Sequence, residues 1–214
     1  MNYFLLANNK EFSESTVNKL KLDPNNDILV LFNFLIPLKF DKVKDYPNKI
    51  CISRERPIKY RLDSTTIDGI KEYYCNMGTM RKFQDLFTEI YFLPCPANIS
   101  SQTLSKEYID HISLFNFDFD KIKCIDINYD IRETTKRLNY RLGDKPVEAS
   151  TGVIIYNYLK NTKQKNDSII LVSFNSNLDK IYHDPEWETT YFLNEINNKN
   201  CYTIDSYNST NFIF

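Results

Sequence analysis

Short apolar runs alternate along the chain with stretches whose apolar residues recur every three or four positions, a pattern that predicts βα units assembled on a mostly parallel sheet. The runs at residues 3–7, 28–32, 49–53, 89–93 and 168–174 read as strands. The clearest is Ser168-Ile169-Ile170-Leu171-Val172-Ser173-Phe174, which is short, nearly uncharged and β-branched, as expected of a strand covered on both faces and lying within the sheet. Helical spacing appears at 13–21, 67–74, 105–112, 131–138, 151–159 and 186–196. Two of these helices have legible starts: Ser150 is placed to cap the amides that follow it, and Pro185 stands where a first-turn proline is tolerated.

The expected architecture is a single Rossmann-like α/β domain over 1–214, with a mostly parallel central sheet flanked by helices. The stretch 94–146 has weaker strand signals, polar patches and the arginines Arg132, Arg137 and Arg141, so it is expected to be a small lid-like insertion. A chain of 214 residues suits one such domain better than two equal ones.

Composition narrows the function classes. Lys and Arg total 27 against 28 Asp and Glu, so no whole-chain field favours nucleic acid, and partners must be argued from sites. The five cysteines, Cys51, Cys75, Cys95, Cys124 and Cys201, are scattered without a CxxC pair and are expected as reduced, mostly buried thiols. Met1 to Ala7 turns polar at once and lacks a basic leader, which fits a first strand rather than a signal peptide. No segment approaches the ~20 apolar residues of a membrane span. The expectation is a cytoplasmic protein, with room for a peripheral contact at the inner face of a membrane.

Four places carry candidate chemistry. Asn8 and Asn9 follow the first strand, at the carboxyl edge where a parallel sheet presents its ligand crevice, and Asn33 follows the second. Amide side chains there can both donate to and accept from a nucleotide or sugar, although they equally suit plain β-to-α turns. Ser53 and Arg54 stand in the same relation to the third strand. Ser150-Thr151-Gly152 opens an apolar helix, and such a start offers free amides and close approach to a phosphate or carboxylate, or else a simple N-cap with a packing glycine.

The fourth place is His183-Asp184-Pro185-Glu186-Trp187-Glu188, which holds one of the chain's 2 histidines and its only Trp. Histidine is the side chain suited near neutral pH to take a proton from a hydroxyl, though a surface histidine at a charged helix start has the same local sequence. His111, on an amphipathic stretch, reads as structural or exposed. Without HExxH or a second histidine near His183, no required metal is expected.

Taken in order, these places resemble the bacterial sialyltransferases of glycosyltransferase family 42 and, more distantly, the animal sialyltransferases. Phe4-Leu5-Leu6-Ala7-Asn8-Asn9 looks like the family's opening strand and nucleotide-contacting turn, with Asn9 the better match, and Leu31-Phe32-Asn33 is similar to its second Asn. Ser150-Thr151-Gly152 resembles the Ser/Thr-Gly step that receives the donor nucleotide. His183 precedes Glu188 with four residues between them, as the catalytic His of animal members precedes its Glu. The chain departs from the family where Lys10 and Glu11 replace a glycine-rich continuation, where Glu148 replaces a basic residue, and where Phe174-Asn175-Ser176-Asn177 replaces a glycine-containing loop.

The resemblance implies metal-independent transfer of a sugar, sialic acid first, from a CMP-sugar donor to a glycan hydroxyl, in the setting of bacterial lipooligosaccharide or capsule synthesis. His183 would be general base; Asn9, Asn33, Ser150, Thr151 and Gly152 would bind the donor, with no further cofactor. Asn8, Ser53, Tyr156, Tyr182 and Glu188 are expected in support, the two tyrosines as donors to the leaving phosphate. A transferase using another donor such as CMP-Kdo, and a non-catalytic nucleotide- or glycan-binding relative, are the alternatives.

Overall fold

The computed structural model describes residues 1–7, 12–32, 36–54, 85–93, 122–124, 141–142, 145–146, 149–174 and 185–211. Among them, seven strands form one sheet: β1 (Asn2–Leu6), β2 (Asp27–Phe32), β3 (Lys49–Arg54), β4 (Glu89–Leu93), β5 (Ile122–Cys124), β8 (Ser168–Val172) and β9 (Tyr202–Thr203). Two-residue strands β6 (Arg141–Leu142) and β7 (Lys145–Pro146) pair separately and antiparallel. The helices are α1 (Glu14–Lys19), α2 (Asp41–Lys44), α3 (Thr151–Thr162), α4 (Pro185–Asn197) and α5 (Ile204–Asn211), with a 3-10 turn at Ile36–Lys39.

The sheet order is β5-β4-β3-β2-β1-β8-β9, and every pairing in it is parallel. This is the expected α/β architecture. Strand β5 lies inside 94–146 and extends the main sheet beside β4; most of that stretch, with the expected helices at 67–74, 105–112 and 131–138, lies outside the described residues.

The strict alternation of side chains along a strand divides the core in two. Phe4 and Leu6, Leu29 and Leu31, and Ile170 and Val172 face one side, where Val17, Leu20, Val43 and Ile204 cover them. Leu5, Val30, Ile169 and Leu171 face the other, under Val153, Ile154, Tyr156 and Leu159 of α3 and Phe192 of α4. The register aligns Val172, Leu6, Leu31, Cys51 and Ile90 as one buried row crossing the strands. Burying each large aliphatic side chain of such a row is worth ~1.5–3 kcal/mol, which is why these strands are apolar on both faces.

The placement of helices follows from handedness. From β1 the chain steps to β2 and β3 with α1 and α2 on the first face; from β8 it steps the opposite way to β9 with α4 on the second. Right-handed crossovers running in opposite directions must lie on opposite faces. The sheet therefore has a topological switch point between β1 and β8, where ligand crevices of open α/β sheets form beyond the strands' carboxyl ends.

The amino edge is closed by its own polar groups. Asp27, 3% exposed, accepts from Asn2 Nδ2 and from the Asp23 amide, each at 2.7 Å. Lys49 is equally buried and donates to the carbonyls of Lys44, at 2.7 Å, and Tyr46. Burial lowers the Lys49 ammonium pKa, an effect partly offset by Asp45. Burial likewise pushes the Tyr46 phenol, whose hydroxyl donates to the Asp27 carbonyl, up to about 12.

Candidate functional site

The start of α3 lies over the carboxyl edge of the sheet. Phe174, two residues beyond β8, meets Phe32 at the end of β2 with ring centroids 6.1 Å apart, and a Cβ added to Gly152 would fall 2.6 Å from Phe174 Cε1. Gly152 is thus needed for a close aromatic approach to the first turn of α3. Ser173, which brings Phe174 there, has φ 57°, a left-handed conformation that costs a non-glycine residue about 1–3 kcal/mol and clusters at functional sites. The ring's packing between Phe32, Phe192 and Gly152 offsets it. Strand β8 accordingly ends at Val172, before the expected 174, while the Ala7 amide donates to the Val172 carbonyl at 2.9 Å and ties the ends of β1 and β8 together.

At the helix start itself, Ser150 is the N-cap, and its Oγ accepts from the Val153 amide at 3.4 Å. The same residue is gripped by Glu188 of α4: its amide donates to Glu188 Oε1 at 2.7 Å and its hydroxyl to Oε2 at 2.6 Å. In a capping box a glutamate in the helix's own first turn satisfies the N-cap amide; here that glutamate comes from a second helix, 38 residues on. Glu188 also lies in the first turn of α4, so one carboxylate serves the positive ends of two helices. Its 4% exposure and Ser150's 8% make these charge-assisted bonds dry ones.

Of the residues expected from sequence, Ser150, Thr151 and Gly152 do open α3, and Glu188 is brought to them. Ser150 gives both of its donors to Glu188, and Thr151 is buried. Tyr156 requires a correction. It is fully buried, and its hydroxyl donates to Glu195, which also receives Lys160 at 2.7 Å and Asn200 at 3.0 Å, so its bond serves the α3–α4 contact rather than a leaving group. Burial first, and then the bond to Glu195, raise its pKa above the ordinary phenol range. Asn8, Asn9, Asn33, Tyr182, His183 and His111 lie outside the described residues, as do Lys10 and Glu11. Ser53 stands in β3 in register with Phe92 of β4.

Sequence reasoning missed an aromatic layer along the α3–α4 contact. Trp187 stacks on Tyr191 at 5.0 Å, with 14° between planes, and the Tyr191 hydroxyl donates to Asn157 Oδ1 of α3 at 2.8 Å. The spacing of Trp187, Tyr191 and the intervening Glu188 on one helix is the signal that could have located this face. Cys51 and Cys201 are buried and in no disulfide, as expected; burial pushes Cys201 up to about 11, which leaves it an unreactive neutral thiol.

Among the described residues, no group of three or more His, Cys, Asp or Glu is placed to hold a metal ion, and no helix is long and apolar enough to cross a membrane. This chain matches no family model, no curated protein and no solved structure.

Proposed function

We propose that the protein is a glycosyltransferase of the sialyltransferase type, using a CMP-sugar as donor and a glycan hydroxyl as acceptor. The observation that supports this reading is the switch point between β1 and β8: the residues after β1 and β2, and those opening α3, are the ones the sequence resemblance assigns to the donor. In the proposed reaction His183 takes the proton of the acceptor hydroxyl, whose oxygen bonds to the donor's anomeric carbon as the bond to the phosphate oxygen breaks. CMP leaves with the electron pair. Asn9 and Asn33 hold the nucleotide, and Thr151 and Gly152 mark where its phosphate approaches α3.

A non-catalytic nucleotide- or glycan-binding protein is the second reading, and one observation favours it. Ser150, the first residue of the Ser-Thr-Gly step, spends its amide and hydroxyl on Glu188 rather than holding them for a ligand. Calorimetric titration with CMP against UMP and AMP, without added metal, tests both. Selective CMP binding weakened in Asn9→Ala and Asn33→Ala, with transfer from CMP-sialic acid or CMP-Kdo abolished in His183→Ala, is expected of the transferase. Selective binding without transfer would leave the second reading, and no cytidine binding would reject the transferase.

A further inference from the structure

Three phenylalanines meet at the carboxyl end of β1. Phe32 ends β2 and Phe174 follows β8, the two strands that flank β1, and their rings stand 6.1 Å apart at 82°. Phe192 of α4 closes on Phe174 from another side, at 5.2 Å and 75°. Phe32 is 4% exposed and Phe192 8%, whereas Phe174 is only half-buried, which makes it the outermost ring of the three. Two perpendicular neighbours fix its plane, and its Cε1 edge lies on Gly152. Beside it stand Gly152, Ser173 and Ala7, the last tied to Val172 by its amide; all three are small and half-buried. The switch point therefore presents one rigid aromatic ring among residues that leave room next to it.

We propose that Phe174 is a ligand-contacting residue, on which the planar base of a nucleotide stacks. Open α/β sheets take their ligands at the switch point, and this ring is the aromatic surface that reaches it. What this part of the edge offers is flat and apolar, and every nucleobase has a π-face that stacks on such a ring. Ser173 holds its left-handed conformation, φ 57°, to aim the ring there, and strain of that kind is kept where a side chain must point one way. The identity of the base rests on the transferase reading, which requires cytosine. The stacking itself does not.

The test titrates CMP, UMP, AMP and GMP calorimetrically into the whole chain, into Phe174→Leu and into Phe174→Tyr, and follows the bound base by NMR. In the parent, the base protons are expected to shift upfield under the ring current and to show nuclear Overhauser contacts to the Phe174 ring. Phe174→Leu keeps an apolar side chain over Gly152 but has no π-face. It is expected to weaken the bound nucleotide about 5- to 150-fold and to abolish the upfield shift, while Phe174→Tyr stays within about threefold of the parent. A folded Phe174→Leu that binds as tightly as the parent would overturn the proposal and leave the transferase reading standing. So would a bound base without contacts to the Phe174 ring, a measurement on the parent that needs no variant to fold. Binding of another nucleotide through Phe174, without binding of CMP, would reject the transferase reading and support the stacking. No binding of any of the four would overturn both.

Discussion

Tyr156 and Glu195 meet inside the α3–α4 contact, the phenol donating to a carboxylate oxygen that Lys160 and Asn200 also reach. Three donors on one oxygen spread the charge, and the fully buried ring supplies the apolar wall behind it. Tyr156→Phe keeps the ring and removes one bond to an ionised partner, a loss of about 1–3 kcal/mol. Urea unfolding should show a lower midpoint at unchanged slope. A midpoint equal to the parent's would mean Lys160 and Asn200 already satisfy Glu195.

The same carboxylate sets an acid dependence. Burial alone would raise the Glu195 pKa, but the bonds from Lys160 and Tyr156 outweigh it and hold the group below its ordinary 4.5. A folded value below the unfolded one contributes stability that is fully present above pH 4.5 and disappears as pH falls through the folded value. Glu195→Gln is therefore expected to melt lower than the parent at pH 7, with the two melting curves converging as the pH is taken below 4.5. A constant gap between them down to acid pH would assign the loss to packing.

Lys49 gives the same direction of pH dependence at alkaline pH, though here it is the charged form that burial disfavours. Its ammonium is buried, and desolvation brings its folded pKa below the ordinary 10.5 despite the attraction of Asp45. The folded protein then releases this proton more readily than the unfolded chain, so stability rises with pH between the lowered value and 10.5. Measured against Lys49→Met, the parent should gain stability across that interval. The comparison belongs below pH 10, because the raised phenols of Tyr46 and Tyr156 are neutral in the fold and begin to oppose unfolded-state ionisation above it. A flat difference would show that Lys49 reaches solvent.

The long apolar strands were readable because burial on both faces leaves a continuous hydrophobic run, as in Ile169 to Val172. Strands β5 and β9 were not, since three and two residues are too few to show any period. Helix α5, Ile-Asp-Ser-Tyr-Asn-Ser-Thr-Asn, is poor in helix formers; it is held by Ile204 in the core and by Tyr207, whose ring meets Phe4 edge to face at 5.6 Å. At the candidate site, the Ser150 cap and the Pro185 start were legible as local chemistry. The bond from Ser150 to Glu188 joins residues 38 apart and has no local signature.

That bond makes a prediction about ligand binding. Ser150→Ala removes the acceptor for the Val153 amide and one donor to Glu188, a loss of about 1–3 kcal/mol, or roughly 2–12 °C in melting temperature for a chain of this size. If CMP binds at the carboxyl edge while Glu188 keeps its grip, the ligand makes no use of the Ser150 hydroxyl. Saturating CMP should then raise the melting temperature of Ser150→Ala by the same increment as the parent's, because that increment depends on affinity and ligand concentration. An increment present in the parent and absent in Ser150→Ala would mean that the ligand displaces the Glu188 carboxylate, and the first turn of α3 would then be the phosphate site itself.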